Sequence, residues 1–311
     1  MSGPARRRRL SRRGMSSLIV VVTIALASVG CSSNTVGGVE VSPTHTGAFG
    51  HIHGLGIDAT TGAAFVATHS GLYRLPPLAS PTVSAASLGG PIAGLRQDTM
   101  GFVMVDHSMY TSGHPDPAKD PSSGNLGLIT SIDDGRSWQT KSLGGQTDFH
   151  DLDVFPGATS SPTVYGFDAG AGAVMMSRDG GATWSTRATI ALRDMTVDSA
   201  DSGTVYATTA EGLVVSRDGA TTFDLVPGAP ALYLIQSLDD PAGGALVGID
   251  VKGSVWTKTF AQQWRVSGQV QGQVEAMAYS GGAEPVFLVA DERGIVASSD
   301  LGATWRTVVS R

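Results

Sequence analysis

The chain has 311 residues, of which 41% are hydrophobic and 15% charged, with a formal net charge of −6 and a single cysteine. One cysteine excludes an internal disulfide, so stability has to come from burial, which one domain of this length can supply. The acidic balance argues against nucleic acid as a partner.

The first thirty residues read as an export signal. Arg6 to Arg9 with Arg12 and Arg13 form a basic head, Leu18 to Leu26 is a short apolar run, and Ala27-Ser28-Val29-Gly30-Cys31 follows. The run is too short to span a bilayer comfortably. Cys31 sits where a bacterial lipobox places its acylated residue, although Ser28 stands where leucine is usual. The expectation is a signal peptide over 1–30, a lipidated Cys31 with a small, polar tether over 31–47, and a folded body over 48–311. Such a protein is exported and held by its lipid at the outer face of the bacterial cytoplasmic membrane. The six leader arginines have no compensating acid, so the chain beyond them carries 15 basic and 27 acidic side chains, net −12.

From residue 48 onward the pattern is one of short strands. Six units superimpose, each with an apolar strand, a turn, a second strand rich in Val, Tyr or Phe, a Gly-centred turn and a third strand. The third strands begin at Gly71, Leu128, Ala173, Gly212, Gly253 and Gly294. Four units then carry an octet, Ser-x-Asp-x-Gly-x-(Ser/Thr)-(Trp/Phe): SIDDGRSW (131–138), SRDGGATW (177–184), SRDGATTF (216–223, with Ala220 for the glycine) and SSDLGATW (298–305). The first unit has Pro76-Pro77 in its place, and the fifth keeps only Trp264. The octets start 46, 39 and 82 residues apart, the last being about two periods of 41. A period of this size built only of strands predicts an all-β, six-bladed β-propeller. The octet itself reads as a turn device, with Asp and Ser/Thr satisfying backbone groups and Gly taking the strained position.

All seven histidines lie between His45 and His150. In a propeller the innermost strand of each blade starts at the face to which the loop between strands two and three returns, and the octet turns lie opposite. His51 and His53 open the innermost strand of blade one, and His150, aligned with His53, opens that of blade three. His69 falls in the second loop of blade one. His107 and His114 fall in or beside that of blade two, a long Pro/Gly-rich loop over 111–125. Six histidines are therefore expected on one sector of one face, near the mouth of the central channel. Continuing the column of His53 and His150 gives Ala93, Arg193, Leu234 and Glu275, and Asp291 comes from a second loop.

Three readings fit this gathering. His51, His53, His69, His114 and His150, with Asp116 and Glu275 nearby, are a donor set that Zn, Cu, Ni or Fe would accept. A polar mouth also suits a small polar ligand such as a sugar. Alternatively the histidines are packed residues, since His51, His53, Leu55 and Ile57 share one face at period two.

The octets resemble the Asp-box (BNR) repeats of sialidases and related propellers. Together with HIHGLGID (51–58), ATHSGLYRL (67–75), MGF (100–102), SGHP (112–115) and LGLITSIDDGRSW (126–138), they resemble a family of exported bacterial proteins labelled sialidase-like or glycosyl hydrolase-like. The resemblance implies a secreted or lipid-anchored propeller of the sialidase/Asp-box type. The sialidase triad of arginines, the Arg-Ile-Pro motif and a Tyr–Glu pair are not evident, which argues against sialidase activity. Ordinary glycoside hydrolysis of a surface glycan needs two carboxylates, for which Glu275 with Asp151 or Asp291 are the candidates. A scaffold binding another envelope protein is the remaining alternative.

Overall fold

The computed structural model describes Met1, Gly3 and residues 49–120, 124–157, 161–259 and 262–311. The rest of the leader, Cys31 and the tether lie outside the described residues. Among the described residues no helix is long and apolar enough to cross a membrane.

Six antiparallel sheets follow one another along the chain, each running outward from its first strand. The innermost strands are Ile52–Ile57, Asp98–Val105, Phe149–Phe155, Asp194–Val197, Leu232–Ser237 and Ala276–Ser280. Each touches its predecessor, and the first touches the last, so the blades close into a ring. This is the six-bladed propeller that the repeat predicts.

The core is divided among the seams. Each of the six inter-blade seams holds its own apolar cluster: Phe65 and Leu72 against Phe102 and Met109 between blades one and two, for example, and Val255 and Val270 against Phe287 and Val296 between five and six. Alternation along each strand sends its two sets of side chains to different seams, so both faces of a blade are buried. Carboxylates stitch the inner ends. Asp151 accepts the Met195 amide N–H at 2.6 Å, Asp194 that of Ile235 at 2.6 Å, and Glu275 that of Ile52 at 2.8 Å, each reaching the next blade.

The four octets form one repeated turn. In blade three, Ser177 donates its hydroxyl to Asp179 Oδ1 and accepts the Gly181 N–H, while Asp179 accepts the N–H and hydroxyl of Thr183 at 2.8 and 2.6 Å. Serine, aspartate and hydroxyl donor repeat this in the other three copies. The serine and aspartate oxygens are taken up by backbone and hydroxyl donors of their own turn, so the octet is a structural device.

Blade one has three strands, and the chain beyond it closes the ring. After Pro76-Pro77 it crosses to the far edge of blade six, where Val83–Ser84 pairs in parallel with Val309 and Ser310. Thr82 donates its hydroxyl to the Thr307 carbonyl at 2.6 Å, and Arg306 donates to that of Ser80 at 3.1 Å. The sequence pattern gave no sign of this strap; Arg306–Ser310 completes blade six, and the strap adds a fifth strand. The strap also displaces one expected position. Ala93 lies in a short 3-10 turn at φ +54°, not at the head of an innermost strand, and blade two begins at Asp98. His107 consequently falls in the hairpin between the first two strands of blade two, on the octet side of the disc.

Candidate metal centre at the channel mouth

In blades one and three the first residues of the innermost strand do not pair regularly. In blade one Ile52 faces Thr68 while Gly54 faces Ala67, so His53 is the extra residue of a β-bulge. In blade three Phe167 faces Asp151 while Asp168 faces Phe149, which makes His150 the bulged residue. A bulge re-aims its side chain away from the ladder. Both histidines line a cavity of about 320 Å³ at the centre of the ring.

The loops between strands two and three bring the rest. His69 lies at the tip of the blade-one hairpin, which packs against the chain just before blade two so closely that a Cβ on Gly71 (φ +120°) would sit 2.3 Å from the Leu95 carbonyl oxygen. His114 pairs with Asp98 across blade two, where a Cβ on Gly113 (φ +129°) would sit 2.1 Å from the Asp98 carbonyl oxygen. These approaches set Asp98 and His69 side by side from neighbouring blades.

The resulting cluster is continuous. His51, His53 and His69 present one ring nitrogen each, all within 4.8 Å of one another, and the His53 and His69 rings meet edge-on at 4.2 Å. Asp98 Oδ1 accepts from His69 Nδ1 at 2.9 Å and lies 3.4 Å from Nε2 of His53, a side chain only 8% exposed. On its other side Asp98 Oδ2 lies 3.5 Å from His114 Nδ1. His114 Nε2 in turn lies 3.6 Å from Asp148 Oδ2, which pairs with His150 Nε2 at 2.9 Å. Burial works to raise the Asp98 carboxyl, but hydrogen bonds and charge from His53 and His69 outweigh it and hold it below the usual range. The hydrogen bond to Asp148 raises His150 against an opposing desolvation.

The five histidines expected at a metal site thus lie in one linked cluster, but the sixth does not join them. His107, on the octet face, is paired at 2.8 Å with buried Asp58, which raises it. His45 lies outside the described residues. Asp98 and Asp148 join the cluster unforeseen. Asp148 stands two residues before His150, a spacing that puts both at the rim, whereas Asp98 was hidden by the strap that shifts the start of blade two.

The acids expected beside the histidines have other partners. Asp116 accepts the N–H groups of Arg96 and Ala118 at 3.1 and 2.9 Å, fixing its own loop. Glu275 binds the Ile52 N–H and the Arg311 guanidinium. Asp291, fully buried, binds the Arg293 guanidinium through both oxygens and the Gln271 N–H. Glu275 and Asp291 therefore clasp the frame. Asp151 faces the cavity while accepting the Met195 N–H, and desolvation, with Asp194 and Asp153 close by, pushes its carboxyl well above the usual range. Arg193 also faces the cavity, stacked 4.7 Å over Tyr233.

No protein-family model matches this chain, and no curated protein matches it significantly. Solved structures do. An ancestral GH74 enzyme is 15% identical, with 82% of this chain and 37% of its own covered and a TM-score of 0.51. A gluconolactonase from Xanthomonas campestris is 12% identical over 79% of this chain and 84% of its own, with a TM-score of 0.52. A nidogen/laminin complex structure is 15% identical over 77% and 89%, with a TM-score of 0.51. The chain spans little more than a third of the length of that GH74 enzyme. At such identities the likeness is one of fold: this chain is similar to β-propellers of several activities.

Proposed function

We propose that the protein is an exported, lipid-anchored propeller whose rim holds a transition-metal ion through His51, His53 and His69, with Asp98 beside them. The supporting observation is convergence: three imidazoles from two strand ends of blade one present ring nitrogens that all lie within 4.8 Å of one another. Imidazole nitrogen is the donor that Zn, Cu, Ni and non-haem Fe share, and Asp98 adds the negative charge that makes a partly buried dication tolerable. Three protein ligands leave a coordination position open toward solvent, and the central cavity of about 320 Å³ gives a small polar ligand room beside it. Elemental analysis of protein purified without a polyhistidine tag tests the reading. One metal ion or more per chain, reduced by His53→Ala or His69→Ala, is expected; sub-stoichiometric metal that neither change alters removes it.

A second reading, glycoside hydrolysis, draws on the cavity carboxylates. Desolvation raises Asp151 well above the usual range and Asp194 to about 7, a property of general acids. Hydrolysis of a fluorogenic glycoside, abolished in Asp151→Asn, would support it. Failure across a broad glycoside panel would dismiss it.

A further inference from the structure

We infer that the rim carries two metal positions, with the second built from His114, Asp148 and His150 and with Asp98 shared between them. The inference rests on the reading of His51, His53 and His69 as the first position.

Asp98 is turned both ways. Its Oδ1 belongs to the blade-one histidines, 2.9 Å from His69 and 3.4 Å from His53, while Oδ2 faces His114 at 3.5 Å. A carboxylate with one oxygen committed to each of two donor groups is the arrangement of a bridging ligand. Beyond it, His114 and His150 both direct ring nitrogens at one oxygen, Asp148 Oδ2. The other oxygen, Asp148 Oδ1, is buried and makes no hydrogen bond. A buried carboxylate oxygen without a donor is costly, and a cation drawn in beside it removes that cost. His114 adds a second sign. Its two nitrogens lie near two different carboxylates, which a neutral ring can serve with only one donated proton. A metal bound on either side, with the ring's N–H directed to the other, satisfies both.

The second set comes from blades two and three, which pack directly against each other, and His150 is aimed at it by its bulge. His114 and His150 are about half exposed, so solvent or a ligand reaches this position from outside. Two imidazoles with one terminal and one shared carboxylate suit zinc, iron or manganese, and two ions joined by one carboxylate would hold a substrate oxygen between them.

The test is a metal count on the full-length, untagged chain. Metal-free protein is equilibrated with Zn²⁺, dialysed, and measured for zinc per chain. The expected result is two ions in the parent, one in Asp148→Asn and one in His150→Ala, with thermal melts of the metal-free variants matching the parent to show that both fold. A parent that saturates at one ion, unchanged in both variants, overturns the second position and leaves the first standing. A parent that binds none overturns both. The sharing of Asp98 is read separately from Cu²⁺-loaded protein by electron paramagnetic resonance. Coupled spins, integrating to fewer than the copper present, are expected in the parent, and full-intensity isolated signals at two coppers per chain would overturn the bridge.

Discussion

Asp179 in an octet turn and Asp98 at the channel rim are the same residue on the same scaffold, yet one is spent on structure and the other is available for chemistry. Asp179 takes its donors from its own turn, Ser177, Ala182 and Thr183, and these hold it far below the usual carboxylate range. Asp98 and Asp148 face imidazoles contributed by separate blades. A carboxylate saturated by local backbone and hydroxyl donors has nothing left to bind with. One surrounded by groups that are themselves metal ligands does. Glu275 and Asp291 fall on the structural side, because N–H groups and guanidinium hold them.

The sharpest break of this comparison comes from exchanging the two kinds of carboxylate. Asp291→Ala leaves the Arg293 guanidinium and the Gln271 N–H without their acceptor, and about 3 kcal/mol of unfolding free energy should be lost. Metal content of the folded fraction should stay as in the parent. Asp98→Asn should do the reverse, shifting stability in metal-free buffer by less than about 1 kcal/mol while lowering metal content. Urea unfolding with elemental analysis on both variants decides the matter. Loss of metal in Asp291→Ala, or loss of fold in Asp98→Asn, would merge the two classes.

A smaller effect separates them by pH. In the octets, hydroxyl and amide donors of the turn lower Asp133 to about 2 and lower Asp179, Asp218 and Asp300 as well. Their folded values lie below the unfolded one, so their contribution is present above about pH 4 and is lost as pH falls toward 2. In the cavity, desolvation raises Asp153 to about 6 and Asp194 to about 7 against the hydrogen bonds they accept. There the folded values lie above the unfolded one, so the contribution is present below about pH 4 and is lost as pH rises through 6 and 7. Melting temperature should therefore peak near pH 4 and descend toward neutrality. Asp194→Asn, which keeps an oxygen for the Ile235 N–H, should flatten the descent toward neutrality; a descent of unchanged slope would show that the cavity acids titrate normally.

Much of this was legible in the chain. The octets and the starts of the third strands locate the blades because a turn that consumes its own side chains must repeat them at fixed spacing. His53 and His150 align because each occupies the bulge at the head of an innermost strand. The strap was not legible, since residues 76–97 carry no repeat and the apolar Pro91-Ile92-Ala93 imitates a strand start. That displacement put His107 on the wrong face and concealed Asp98. Nor could the chain tell a clasp from a catalyst: the partner of Glu275 is an amide 223 residues away.

The smallest effect tests how fully the octet turns are structural. Gly181 and Ala220 occupy the same position in successive copies, at φ +88° and +62°. At Gly181 a Cβ would lie 2.1 Å from Leu128 Cδ2, so Gly181→Ala combines left-handed strain with overpacking of a seam and should cost about 2 kcal/mol. At Ala220 the methyl is buried among Tyr165, Val174 and Met176. Ala220→Gly would relieve about 1 kcal/mol of backbone strain, forfeit about 0.8 kcal/mol of methyl burial, and loosen the unfolded chain. These terms nearly cancel, so its melting temperature should stay close to the parent's while that of Gly181→Ala falls by several degrees. A large gain on Ala220→Gly would mean that this turn is held in strain by its neighbours. The copy in blade four would then be the one octet whose geometry serves more than closing a hairpin.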